Sequence, residues 1–382
     1  MLRFPNKRRF INALCDCSLS AQTSKMTRAI SLLLLALAAN SAAERQASDP
    51  SEVGLHVIWS YPGPKVPQEL TDAVKAGKVG GVIFYDENIK NAQDFPGQVK
   101  ALQEAYQQSS EYQGFPLLMV TDQEGGIVNR FPGGPDSAKV VGQASDPAAA
   151  GAAAGATVAK IFAANNINAD LAPVLDVTSQ AGDFTDKEQR SFGSNPDLVA
   201  KAAGPWITAL QSAGYPATAK HFPGLGTAAA DANTDLKPVV LTVSADELRR
   251  IDMKPYETAI ANKISMVMAS WAIYPALDDK NPAGLSRTIV QQELRQRLGF
   301  KGVTITDALE AGSLKAFGST GELAVKATKA GMDILLASVR DVKQGNDTYS
   351  AVLEALTKGT IDRGEFKEST DRIVRMRSSL RG

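Results

Sequence analysis

The sequence predicts a closed α/β barrel of eight parallel strands, a (β/α)8 TIM-like fold. Three observations predict it: eight short runs of β-branched and aliphatic residues, helical signals between them, and no strand–helix turn with the full Gly-x-Gly-x-x-Gly set that marks an open dinucleotide-binding sheet. In chain order the runs are Val53–Ser60, Gly80–Tyr85, Leu117–Thr121, Asn168–Leu171, Ala217–Ala219, Ser265–Ser270, Gly302–Thr306 and Met332–Leu336. Helices are expected from Pro96 to Tyr112, across the Ala-rich segment Pro147 to Ala164, and from Pro196 to Ala213, each opened by the proline that suits a first helical turn. The capping box Ser244-Ala-Asp-Glu247 predicts a helix leading to Ile260, and Ser286 to Leu298 a further one.

The 382-residue chain holds ample material for a barrel of about 250 residues. Lys plus Arg number 41 and equal Asp plus Glu, which excludes a strongly basic nucleic-acid binder. With 44% hydrophobic and 21% charged residues, the composition is globular rather than disordered.

Residues 1–43 read as an N-terminal extension and secretion signal. Met26-Thr27-Arg28 supplies a short basic region, Ile30 to Ala39 an apolar stretch, and Ser41-Ala42-Ala43 a small-residue cleavage site; a start at Met26 would make residues 1–25 an upstream extension. The apolar run Ala29–Ala39 falls well short of the ~20 residues of a spanning helix, so no membrane span is expected. The single catalytic domain, residues 44–382, carries five more acidic than basic residues, and it has no cysteine because Cys15 and Cys17 both precede it. Disulfides and thiolate chemistry are thereby excluded for a secreted, extracellular domain. Asn346-Asp347-Thr348 forms a glycosylation sequon.

A barrel builds its active site from the C-terminal ends of its strands. Polar residues sit there: Asp122 follows the third strand, Asp176 and Glu188-Gln-Arg190-Ser-Phe-Gly193 follow the fourth, Lys220-His221 ends the fifth, Ser270-Trp271 the sixth and Asp307 the seventh. A lone carboxylate in such a position also serves as a helix cap. Lys220 is more telling, since a buried ammonium requires a carboxylate or ligand facing it. His56, within the first run, reads as a satisfied core histidine. Gly125-Gly126 and Gly224-Leu-Gly226 lack the Lys-Ser/Thr of a phosphate-binding loop and are expected to permit tight backbone paths instead. Two histidines and no cysteine in the domain leave no convincing metal ligand set, and no cofactor is expected.

The segments Asp122-Gln-Glu-Gly-Gly126, Asn168-Ala-Asp-Leu-Ala-Pro-Val-Leu-Asp176, Arg190-Ser-Phe-Gly193, Lys220-His-Phe-Pro-Gly224 and Gly302-Val-Thr-Ile-Thr-Asp307 resemble glycoside hydrolase family 3, in its single-domain N-acetyl-β-glucosaminidase branch. The resemblance implies a barrel and a retaining exo-β-glycosidase that hydrolyses terminal β-linked N-acetylhexosamine from an oligosaccharide or glycoside. It makes Asp307 the nucleophile, and Asp122, Arg190, Lys220 and His221 contacts to the terminal sugar. A carboxylate on a rigid strand end suits attack on an anomeric carbon with an oxocarbenium-like transition state.

The sequence departs from that branch where its acid/base histidine belongs. The loop reads Gly224-Leu-Gly-Thr-Ala-Ala-Ala-Asp231-Ala-Asn233-Thr-Asp235-Leu-Lys-Pro238, so counting from the glycines puts Asn233 at the histidine position, and an amide transfers no proton near neutral pH. Counting back from Pro238 makes Asp235 the candidate acid/base, with Asp231 the alternative and Asn233 orienting the loop or binding sugar. A carboxylate base would repel phosphate, so hydrolysis rather than phosphorolysis is expected. Two other readings accompany this one: a β-glucosidase-type exo-glycosidase, and a catalytically impaired carbohydrate-binding homologue.

Overall fold

A computed structural model describes residues 52–380. The expected leader, the two cysteines and the Met26 start lie outside the described residues. Eight strands form the barrel: β1 (Val57–Trp59), β2 (Gly81–Ile83), β3 (Leu118–Thr121), β4 (Ala169–Asp170), β5 (Thr218–Phe222), β6 (Met266–Ala269), β7 (Val303–Ala308) and β8 (Ile334–Leu336). They pair in the order β4-β3-β2-β1-β8-β7-β6-β5, every pair parallel. The seam between β4 and β5 is closed just beyond β4, where Val174 bridges Lys220 and Leu175 N donates to Lys220 O at 2.6 Å.

Around the strands run α1 (Gln68–Lys75), α2 (Phe95–Gln107), α3 (Pro147–Asn165), α4 (Pro196–Ser212), α5 (Lys254–Ala261), α6 (Thr320–Ala330), α7 (Val342–Thr357) and α8 (Arg363–Arg377). The strands are apolar up to their C-terminal ends, because both faces of each are buried. Ile58, Ile83, Leu118, Val120, Met266, Met268, Val303, Ile305, Ile334 and Leu336 fill the barrel interior, while the alternate residues Val57, Trp59, Val82, Met119, Val267 and Leu335 pack outward in the second core, which includes buried residues of the helices. α3 is long and apolar enough to cross a membrane by length and composition, yet it packs along α4 in the helical ring.

Each expected strand is present, and the differences are local. Residues 52–55 are helical and His56 N turns back to Val53 O at 3.1 Å, so β1 begins only at Val57. β5 runs on to Phe222 and β7 to Ala308, so Lys220-His221 and Asp307 stand at the ends of their strands, each strand passing them by one residue. The Ser244 cap forms as expected, its Oγ accepting from Glu247 N at 3.2 Å, but the chain widens into a π-helix at Leu248–Asp252 before α5. The segment expected from Ser286 is likewise π-helical, over Thr288–Arg297. His56 is the core residue expected: Nδ1 donates to Asp333 O at 2.7 Å, Nε2 faces Thr370 Oγ1 at 2.9 Å, and burial pushes its pKa down to about 4.

Candidate active site

Strand alternation explains which side chains reach the C-terminal end of the barrel. Val303, Ile305 and Asp307 share one face of β7; Leu118 and Val120 share a face of β3 that continues to Asp122; Thr218 and Lys220 share a face of β5. Where the apolar layers stop, these polar residues begin. They line a cleft of about 500 Å³ together with Tyr85, Glu124, Arg190, His221, Asn233, Asp235 and Glu310.

At its inner end lies a buried charge cluster. Lys220, whose side chain is 2% exposed, places Nζ 2.8 Å from both Asp122 Oδ1 and Glu124 Oε1. Arg190 donates through Nε and Nη2 to the two oxygens of Glu124, both at 2.8 Å, a bidentate pair. Burial alone would raise the Glu124 carboxyl, but Arg190 and Lys220 outweigh it and hold Glu124 far below the ordinary carboxylate range. Burial opposes the charge on Lys220 as well, and Asp122 and Glu124 more than offset it.

His221 is oriented from behind. Its Nδ1 donates to Asp176 Oδ2 at 2.8 Å, and Asp176 Oδ1 also accepts from the backbone of His221 (3.2 Å) and Leu225 (2.8 Å). The Lys220–His221 peptide is cis. The carboxylate hydrogen bond fixes the tautomer and leaves Nε2 for the cleft. Deeper still, Asp252 is buried with neither oxygen hydrogen-bonded; burial, then Asp176 and Glu247, push its pKa up to about 8.

The loop after β5 carries the remaining candidates. Gly226 lets it pass against the strand-four loop, where a Cβ would meet Val177 O at 1.6 Å, and Gly226 O accepts from Ser179 N at 3.0 Å. Gly125, at φ 96°, turns the chain behind Asp122 in the same manner. Further on, Gly312 N donates to Asp235 O at 2.7 Å and Ser313 N to Thr234 O at 3.1 Å. These bonds clip the loop to the turn just beyond Asp307. Asp235 and Asp307 thus line one cleft. Although the Asp235 residue reaches solvent, the cleft walls desolvate its carboxyl and, with the charge of Asp307, raise its pKa to about 6; His221 and Arg190 pull the other way.

The structure brings Asp122, Arg190, Lys220, His221, Asn233, Asp235 and Asp307 together. It does not bring Asp231: that side chain is 80% exposed, outside the cleft, and paired with Lys237 at 2.5 Å, because the turn at 231–233 directs it to solvent. Lining residues missing from the candidate set include Glu124, Tyr85, Glu310 and Arg340. Glu124, two positions after Asp122, was signalled by the alternation of an extended segment; Tyr85, Glu310 and Arg340 come from separate loops with no signal that unites them. Among the described residues no group of three or more His, Cys, Asp or Glu is placed to hold a metal.

Residues 47–376 match the glycosyl hydrolase family 3 N-terminal domain. A relative from Arthroderma benhamiae, named an uncharacterized secreted glycosyl hydrolase, is 46% identical across 86% of this chain and 93% of its own length. A protein from Tolumonas auensis named beta-hexosaminidase is 33% identical, across 81% of this chain and 89% of its own. Among solved structures, a β-N-acetylhexosaminidase from Beutenbergia cavernae superposes with a TM-score of 0.76 at 29% identity, over 87% of this chain and 98% of that one. A family 3 β-N-acetylglucosaminidase from a Paenibacillus species gives 0.80 at 28%, over 86% of this chain but only 62% of its own. An eight-stranded parallel barrel, a cleft at its C-terminal end and a match across most of its length agree: the chain belongs to glycosyl hydrolase family 3.

Proposed function

We propose that the protein is a retaining exo-β-N-acetylhexosaminidase that hydrolyses the terminal sugar of an oligosaccharide or glycoside. The observation that carries this reading is the pair Asp307 and Asp235 in one cleft, the second with its pKa raised to about 6 by burial and by the first. Two carboxyl groups driven apart in acidity are what double displacement needs. An Asp307 oxygen attacks the anomeric carbon as Asp235 passes its proton to the departing oxygen, giving a glycosyl-enzyme ester. Asp235, now a carboxylate and open to solvent, takes a proton from water, whose oxygen displaces Asp307 with net retention.

The cluster of Asp122, Glu124, Arg190 and Lys220 lines the buried part of the cleft, which supports recognition of a terminal sugar by charged donors and acceptors facing its hydroxyls. Asp235 and Glu310 at the site disfavour phosphate as acceptor, so water is the nucleophile of the second step. The N-acetyl preference rests on the relatives named for that activity. The leader expected at 1–43 and the relative named as secreted support an extracellular enzyme.

Turnover of an aryl N-acetyl-β-glucosaminide against the matching β-glucoside tests the reading. Preference for the N-acetyl sugar with retention supports it; preference for glucose would install the β-glucosidase alternative; sugar binding without turnover would install the binding protein.

A further inference from the structure

Four residues other than glycine hold a positive φ among the described residues: Asn166, Gln189, Lys263 and Arg340. The first three close helices, where a left-handed residue is ordinary. Arg340, at φ 65°, does not; it lies between β8 and α7, immediately before the α7 N-cap Asp341. For a long side chain that conformation is strained, and the surroundings impose it: Arg340 N donates to Ser60 Oγ at 2.8 Å and Val339 N to Gln344 Oε1 at 2.9 Å.

The strained residue is also a wall of the cleft. Its guanidinium lies over Tyr85, Cζ 4.6 Å from the ring centroid, and Nε is 3.3 Å from Glu87 Oε1. Stacking and ion pair set a planar, always-charged donor in place while 53% of the side chain stays open to solvent. Glycine would fit this backbone without strain and would offer the cleft no donor. Among the lining residues Lys220 and Glu124 are buried whereas Asp235 and Arg340 are exposed, so a terminal sugar held by the buried cluster would carry its leaving group toward the exposed side.

We propose that Arg340, backed by Tyr85, is a specificity-determining residue of the leaving-group subsite, donating hydrogen bonds to the first sugar beyond the scissile bond and so favouring oligosaccharides over glycosides with small leaving groups. This rests on the exo-glycosidase reading above. A sugar ring and its acetamido carbonyl present the neutral oxygen acceptors that a half-solvated guanidinium can engage without forfeiting Glu87.

The test compares calorimetric binding of N-acetylglucosamine and its β-1,4-linked disaccharide to the full chain carrying Asp307→Asn, with and without Arg340→Gly. Disaccharide affinity is expected to fall about tenfold, or 1.4 kcal/mol, with monosaccharide affinity unchanged and the melting temperature unchanged or raised. Arg340→Lys, which keeps the charge but loses the stacked plane, should fall between. Equal loss for both sugars would move Arg340 to the terminal-sugar subsite, and no loss for either would remove it from recognition; each overturns the assignment. Turnover of an aryl N-acetylglucosaminide by the unmodified chain, measured in parallel, separates failure of this assignment from failure of the glycosidase reading.

Discussion

The side-chain oxygen of Asn233 accepts a hydrogen bond from the backbone N–H of Asp235 at 2.8 Å. This bond folds the turn that carries the Asp235 carboxyl, a positioning role for the amide that one of the two counts puts at the histidine position. Asn233→Ala is expected to lower kcat about tenfold on a natural linkage with a smaller change in KM, because the acid is misplaced rather than removed. Asp235→Ala should cost about 10²- to 10⁴-fold on the same substrate and be rescued by azide on an activated aryl glycoside, with a β-glycosyl azide as product. Absence of that azide adduct would return the acid/base role to another group.

The pH profile follows from the sign of the Asp235 shift. Its carboxyl must be protonated to act as acid, and its pKa is raised to about 6, so kcat/KM should fall with rising pH along a limb near 6. A profile flat from pH 5 to 8 would exclude Asp235.

Asp307→Asn should abolish the burst and the turnover of aryl glycosides while calorimetry still detects sugar. The amide occupies the same volume and leaves the inner cluster of Lys220, Glu124 and Arg190 untouched. Loss of binding together with turnover would indicate that Asp307 holds the sugar rather than attacks it.

Glu124 joins Lys220 and Arg190, and removing it leaves two cations buried without their shared partner. Glu124→Ala is expected to destabilise by about 3 kcal/mol in urea titration, the cost typical of breaking a buried pair. Since the folded-state carboxyl is lowered from 4.5, its contribution is present above that value and lost as pH falls below it. The variant should therefore show a smaller acid-induced loss of stability than the parent.

Asp252 behaves in the opposite sense. Its pKa rises from 3.8 to about 8 on folding, so between those values the folded chain binds the extra proton and stability declines as pH rises. Asp252→Asn, an isosteric neutral group, should flatten that decline in melting temperature between pH 4 and 8. An unchanged slope would mean that Asp252 is ionised in the folded protein.

The barrel was legible in the sequence, and so were seven residues that the fold brings into the cleft: Asp122, Arg190, Lys220, His221, Asn233, Asp235 and Asp307. Eight apolar runs predict eight strands because parallel strands buried on both faces must be apolar along their length, and Asp122, Lys220 and Asp307 stand at strand ends because the interior layers end there. Helices α1, α6, α7 and α8 carried no expectation: their apolar residues fill one face only, and their caps, such as Ser319 with Glu322, resemble ordinary polar turns until the helix is seen. Counting back from Pro238 favours Asp235 over Asp231, and only the folded chain shows how differently the two are placed. Both are loop aspartates in similar local sequence; the clip from Gly312 to the Asp235 carbonyl turns one into the cleft wall, while Lys237 holds the other in solvent. Tertiary structure alone joined Glu124 to Arg190, sixty-six residues apart, and stacked Arg340 on Tyr85. Acidity and recognition depend on desolvation and on charges within a few ångströms, and those neighbours come from different strands whose proximity exists only once the barrel has closed.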